Sequence, residues 1–98
     1  MIRRLVVRPA ADAEIRDAVA RYERERPGLG SEFEGALNAA IARIVQNPAM
    51  YSSIYRDVRR AVLHPFPYGV FYKVRRDVLY IVAVLHLARH PSHWRRRG

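Results

Sequence analysis

The sequence predicts an α+β fold of order β-α-α-β-β-β, with a helical hairpin packed on one face of a small, mainly antiparallel sheet. Three observations carry this reading. Two consecutive segments in the first half have apolar residues at helical spacing, a Pro-Gly cluster separates them, and the period changes to that of strands after Val58.

Ile2 to Arg8 is short, rich in Leu and Val, and stops at Pro9, as a first strand would. From Pro9, a residue suited to a first helical turn, Ile15, Ala18, Val19 and Tyr22 follow the spacing of an amphipathic helix, and Arg16, Asp17, Glu23 and Arg24 occupy its opposite face. Pro27-Gly28-Leu29-Gly30 breaks that helix. Ser31 with Glu34 has the pattern of a capping box for a second one, whose stripe is Phe33, Leu37, Ala40, Ile41, Ile44 and Val45, ending before Pro48. So short a link implies an antiparallel helical hairpin.

Ala49 to Asp57 reads as irregular, and strands follow at Val58 to His64, Tyr68 to Arg75 and Val78 to His86. Pro65-Phe66-Pro67 separates the first two, and Arg76-Asp77 is a tight turn between the last two. With a two-residue turn, Arg75 faces Val78, Lys73 faces Tyr80, Phe71 faces Val82 and Gly69 faces Val84, all on one face with His86. The other face then carries Val70, Tyr72, Val74, Leu79, Ile81, Ala83 and Leu85, suited to packing under the helices. The first, with basic and aromatic side chains, is the expected working surface. A three-residue turn would shift the pairing by one.

A chain of 98 residues, half of them apolar, suits one domain over 1–98 with a single core. Its formal charge is +9, and Lys73 is the only lysine among 18 basic residues. Arginine forks onto phosphate and carboxylate, so the bias points to a polyanionic or acidic partner; the alternative is a solubilising surface. The charge is local. Seven of the nine acids lie between Asp12 and Glu34, whereas Arg56 to Arg97 holds only Asp57 and Asp77. The absence of cysteine excludes disulfides and thiolate zinc sites, and the histidine spacings match no familiar ligand set, so neither metal nor cofactor is expected. The opening residues lack the pattern of a signal peptide, and the run Val78 to Leu85 is far shorter than the ~20 residues of a membrane helix. A cytoplasmic protein without membrane contact is expected.

The segment Phe66-Pro67-Tyr68-Gly69-Val70-Phe71-Tyr72-Lys73-Val74, then Val82-Ala83-Val84-Leu85-His86, then Arg89-His90-Pro91 with Trp94, resembles the C-terminal hallmark of RelE/ParE toxins of bacterial type II toxin-antitoxin pairs. The order of elements is similar to the RelE/ParE toxin fold over essentially the whole chain. The resemblance implies a toxin neutralised in a hetero-oligomer by a co-expressed antitoxin, with contacts along the helical hairpin and a sheet edge.

The superfamily splits by target: one branch cleaves mRNA in the ribosomal A site, and another poisons DNA gyrase without nuclease chemistry. The first needs a base at the ribose 2′-OH, cations on the phosphorane oxygens and an acid for the leaving group. In that branch an arginine typically follows the motif tyrosine, where this chain has Gly69, and its C-terminal tyrosine would fall near Trp94, whose indole cannot replace a phenol as acid or base. Both departures favour a ParE-like gyrase poison or an uncharacterised branch, acting by occlusion and not by chemistry of its own. An RelE-like, ribosome-dependent endoribonuclease is the alternative, with Lys73, His86, Arg89, His90 and His93 as candidate catalytic groups. Taken singly, each histidine reads as structural, and His64 as a strand-end residue. A non-toxic nucleic-acid-binding domain is the third reading. Candidate contacts to target or nucleic acid are Arg59, Arg60, Phe71, Lys73, Arg75, Tyr80, Arg89, Trp94, Arg95, Arg96 and Arg97. Tyr72 is expected in the core, and Arg76 simply in solvent.

Overall fold

Proline has its φ fixed near a helical value and lacks an N–H that the first helical turn would leave unpaired, so Pro9 both ends a strand and opens a helix. In the computed structural model, which describes residues 1–88, 92–95 (the side chains of 92 and 93 excepted) and 97, β1 spans Arg4–Val7 and α1 spans Pro9–Glu25. α1 buries Ala11 and Ala18 and packs Ile15, Val19 and Tyr22 around them. α2, Leu29–Gln46, buries Phe33, Leu37, Ala40 and Ile44 with Ile41 and Val45 beside them, the expected stripe.

The junction of the helices differs from expectation. α2 begins at Leu29 and not beyond Ser31, so the capping box at Ser31 and Glu34 is replaced by an N-cap at Gly28, which takes φ 91°. The missing cap comes from the preceding helix: the Glu23 carboxylate accepts from Gly28 N at 2.9 Å and from Gly30 N at 3.0 Å. A carboxylate there also faces the positive end of the α2 dipole. A Cβ on Gly30 would lie 2.8 Å from Val19 O, so the absence of a side chain permits this close helix crossing.

The stretch from Ala49 to Asp57 is not irregular throughout. It holds a 3-10 turn at Pro48–Met50 and a short strand β2 at Ser53–Tyr55, followed by β3 (Val58–Leu63), β4 (Tyr68–Arg75) and β5 (Val78–His86). The five strands are ordered β1-β5-β4-β3-β2, with β1 parallel to β5 and the other pairs antiparallel. Both helices lie on one face of this sheet, over Ala61, Leu63, Tyr68, Val70, Tyr72, Leu79, Ile81 and Val84. Tyr22, Phe33, Phe66 and Tyr68 form an aromatic cluster there, with ring centroids as close as 4.9 Å.

The turn at Arg76-Asp77 has the expected two residues, with Arg76 at φ 57°, and Arg75 pairs with Val78 and Lys73 with Tyr80. Beyond Tyr72 and Ile81 the register slips through a bulge, so Phe71 pairs with Ala83, Gly69 with Leu85 and Tyr68 with His86. This corrects the expected pairs of Phe71 with Val82 and Gly69 with Val84. A bulge sets two residues against one and inverts the alternation beyond it. Ala83 and Leu85 therefore join the outer face, and Val84 and His86 move to the helix face. The outer apolar cluster of Val58, Phe71, Val82, Ala83 and Leu85 is closed by Trp94 from the short helix α3, Ser92–Arg95.

Candidate functional site

Because the helices cover one face of the sheet, Arg60, Lys73 and Arg75 of the strands come together on the other. Trp94 stacks on Phe71 with centroids 5.0 Å apart and planes inclined by 24°, and meets Tyr55 edge-on at 6.0 Å. Both Phe71 and Trp94 are buried by this contact, at 3% and 7% exposure. Around the stack, guanidinium groups lie on aromatic faces. Arg95 is 4.9 Å from the Tyr55 ring centre and 5.6 Å from that of Trp94, Arg56 is 5.2 Å from Tyr55, and Arg8 is 5.3 Å from Tyr80. Such contacts fix the cation without neutralising it.

Arg60 is exposed on the same face, and its stem crosses the bare backbone of Gly69: a Cβ at Gly69 would lie 3.0 Å from Arg60 Cδ and 3.1 Å from Phe71 Cε1. Arg75 is partly neutralised by Asp57 at 2.8 Å, and the Lys73 side chain is almost entirely buried. The sequence-predicted contacts Arg60, Phe71, Lys73, Arg75, Tyr80, Trp94 and Arg95 thus share one region. Arg59 does not. It lies on the helix face, where its guanidinium donates to Tyr51 O and, at 3.4 Å, to Ala49 O, anchoring the 3-10 turn. Beside it Tyr72 donates to Pro48 O at 2.6 Å, and burial pushes the Tyr72 hydroxyl up to about 12, with the nearby Arg59 charge opposing. Tyr22, in the aromatic cluster, is also raised, chiefly by burial.

Arg97 reaches round the edge of the sheet. It donates to both oxygens of Glu14, at 2.9 and 2.8 Å, and to Val82 O at 3.2 Å, while its own carbonyl accepts from Arg8 at 3.0 Å. Glu14 also accepts from Val84 N at 3.0 Å. Sequence reasoning missed Glu14, Glu23 and Arg8, because an acid on an amphipathic helix or an arginine at a strand end carries no local mark of a distant partner.

His86 is on the helix face, edge-on to Tyr68 at 5.4 Å, and its Nδ1 accepts from Ala88 N at 3.1 Å. It lines a groove of about 430 Å³ with Glu14, Asp17, Arg21 and Arg24. His64 lines a different groove, with Arg43 and Arg60. Arg89, His90 and Arg96 lie outside the described residues, as does the His93 side chain. Among the described residues no group of three or more His, Cys, Asp or Glu is placed to hold a metal ion, and no helix is long and apolar enough to cross a membrane.

A helical hairpin over one face of a short sheet, with a basic, aromatic opposite face, is the architecture expected of the RelE/ParE superfamily. Residues 5–91 match the family described as the ParE toxin of the type II toxin-antitoxin system parDE, and the chain belongs to that family. It is 27% identical to Toxin ParE2 of Mycobacterium tuberculosis, in strain CDC 1551 / Oshkosh and in strain ATCC 25618 / H37Rv, over 93 residues that cover 94% of this chain and 89% of the relative. Its fold is similar to that of a chain of the chromosomal ParDE TA system from P. aeruginosa, with a TM-score of 0.76 at 15% identity, covering 87% of this chain and 96% of that one. Membership makes the protein the toxin component of a type II module and implies an antitoxin partner.

Proposed function

We propose that this toxin arrests growth in the bacterial cytoplasm by holding DNA gyrase in an unproductive state through the outer face of its sheet, with no chemistry by its own side chains. The observation that carries the reading is Gly69. In the nuclease branch of the superfamily an arginine typically follows the motif tyrosine; here that backbone is bare and crossed by the Arg60 stem 3.0 Å from where a Cβ would sit. The bulge also favours it, because it directs His86 away from the cations of the outer face. What is left on that face is charge mounted on aromatic planes, an arrangement for binding a polyanionic or acidic surface.

The test is purified gyrase with relaxed plasmid. Addition of the toxin should block supercoiling and trap cleaved DNA, and the variant Arg60→Glu/Arg95→Glu should need substantially more protein for the same effect. Unimpaired supercoiling, together with mRNA cut in a translating extract, would reverse the assignment in favour of the ribonuclease branch.

A further inference from the structure

The strands and their turns carry almost no negative charge to oppose their arginines. After Glu34 the chain has two acids, and each faces an arginine: Asp57 lies 2.8 Å from Arg75 and Asp77 3.7 Å from Arg3. Arg8 follows β1 and Arg56 follows β2, the two outermost strands, with Arg60 of β3 between them and Arg95 seated on Tyr55 and Trp94. Four spacings of about 4.8 Å between adjacent strands set the flanking pair roughly 19 Å apart. The aromatic rings around these cations are already engaged. Phe71 and Trp94 are stacked on each other and buried, Tyr55 carries Arg56 and Arg95, and Tyr80 carries Arg8. The exposed large apolar side chains among the described residues, Met1, Leu5, Met50 and Leu87, all lie outside the apolar cluster of this face.

We propose that the anion taken by this outer face is the phosphate backbone of duplex DNA, held without regard to base sequence. Three kinds of anionic surface are separated by what else they require. An acidic protein surface needs an apolar core to its interface, and the outer cluster offers no exposed apolar anchor for one. A single strand needs open rings on which its bases stack, and the rings here are closed by each other or by guanidinium groups. Duplex backbone asks for cations alone. It presents one charge per ~1.7 Å of its axis, so cations spread over roughly 19 Å meet phosphates in any register. That the duplex is the one held by gyrase rests on the target proposed above; the affinity of the face for duplex does not.

The test uses the full chain and fluorescein-labelled twenty-base-pair DNA duplexes of two unrelated sequences, with one strand alone as comparison, read by anisotropy across a salt series. The two duplexes should bind alike and more tightly than the single strand, and affinity should fall as salt rises. Arg60→Gln/Arg95→Gln keeps most of each side-chain stem; it should weaken duplex binding about tenfold or more and lower the slope of log affinity against log salt by about 2, as expected for two lost phosphate contacts. Arg21→Gln/Arg24→Gln removes the same charge from α1 and should weaken binding by less than about threefold, the effect of long-range charge alone. The toxin should also bind the gyrase–DNA complex more tightly than DNA-free gyrase, and the outer-face variant should erase that difference. Equal losses in the two double variants, an unchanged salt slope, tighter binding of the single strand, or an equal loss of affinity for DNA-free gyrase would each overturn the proposal. Duplex binding with the expected residue and salt dependence, alongside unimpaired supercoiling, would uphold the DNA-binding face and remove gyrase as the target.

Discussion

Replacing Glu14 by alanine should destabilise the protein more than any other single change at an exposed-looking position of α1. Three donors lose their acceptor: Val84 N at 3.0 Å and the two Arg97 nitrogens at 2.9 and 2.8 Å. The ion pair is sheltered, with side-chain exposures of 26% for Arg97 and 19% for Glu14. A hydrogen bond to a charged group contributes about 1.5–3 kcal/mol, and a buried amide stripped of its acceptor costs about 1–3 kcal/mol. Two effects reduce the sum. The Val84 amide adjoins the open groove of about 430 Å³, where water can reach it, and the Arg97 guanidinium recovers hydration by swinging outward. A net loss of about 2–3 kcal/mol remains, which for a domain of this size lowers Tm by roughly 10–20 °C.

Urea unfolding of the wild type, Glu14→Ala, Arg97→Ala and the double variant separates the parts. Arg97→Ala should cost about 1 kcal/mol, because it leaves Glu14 its bond to Val84 N, and the coupling between the two sites should be about 1 kcal/mol. Glu14→Gln keeps an acceptor for Val84 and should fall between wild type and Glu14→Ala. Losses that add to within about 0.3 kcal/mol would show that the clamp holds nothing and would refute the reasoning.

Gly30→Ala should cost about 1–3 kcal/mol in chemical denaturation, since its Cβ would meet Val19 O at 2.8 Å and drive the helices apart; Gly28→Ala, at φ 91° with nothing within 4 Å, should show only the backbone penalty of about 1 kcal/mol. Tyr72, raised from 10.0 to about 12, stays protonated when folded across a window in which the unfolded chain has ionised. Its contribution is therefore full below the unfolded value and is lost as pH rises through the folded one, so stability should drop by up to roughly 2–3 kcal/mol between about pH 10 and about pH 12. Tyr72→Phe should remove that slope in denaturant midpoints while costing about 1–2 kcal/mol at neutral pH, where Pro48 O loses its donor. Trp94→Ala should uncover Phe71, raise binding of a hydrophobic dye and cost about 2–4 kcal/mol; unchanged dye binding would mean that the stack does not persist in solution.

The elements that sequence reasoning placed correctly are those in which periodicity had one answer. The stripes of α1 and α2 alternate with charge and tolerate no other face, and the Arg76-Asp77 turn fixed the pairing as far as Lys73 and Tyr80. It lost the register where the sequence stops discriminating. From Val82 to Leu85 every residue is apolar, so either alternation buries the same chemistry and the bulge costs little. β2 escaped notice because two residues of β3 are enough to pair it. The cap at Gly28 was misassigned to Ser31 for a related reason: Glu23 satisfies those amides from another helix, and no local pattern encodes it. In the candidate site the composition of the outer face was legible, but Arg59 and Arg97 were not separable from the other arginines. Their partners, the carbonyls of the 3-10 turn and the Glu14 carboxylate, are set by tertiary packing.

The same bulge explains why the outer face is built as it is. By sending Ala83 and Leu85 outward it creates an apolar patch that water would otherwise cover, and an aromatic lid is the response that packing allows: Trp94 closes over Phe71, Val82 and Leu85. Once Trp94 and Tyr55 are seated there, they provide planes on which Arg95 and Arg56 lie. A guanidinium held over a ring has already lost part of its rotamer freedom, so less entropy is spent when it engages a phosphate or carboxylate. Arg75, bound to Asp57, and Arg97, bound to Glu14, must first break an ion pair. Among the described cations of the sheet, the ring-mounted arginines and Arg60 are therefore the ones best prepared to engage an anionic target, and reversing them should weaken toxicity more than reversing Arg75.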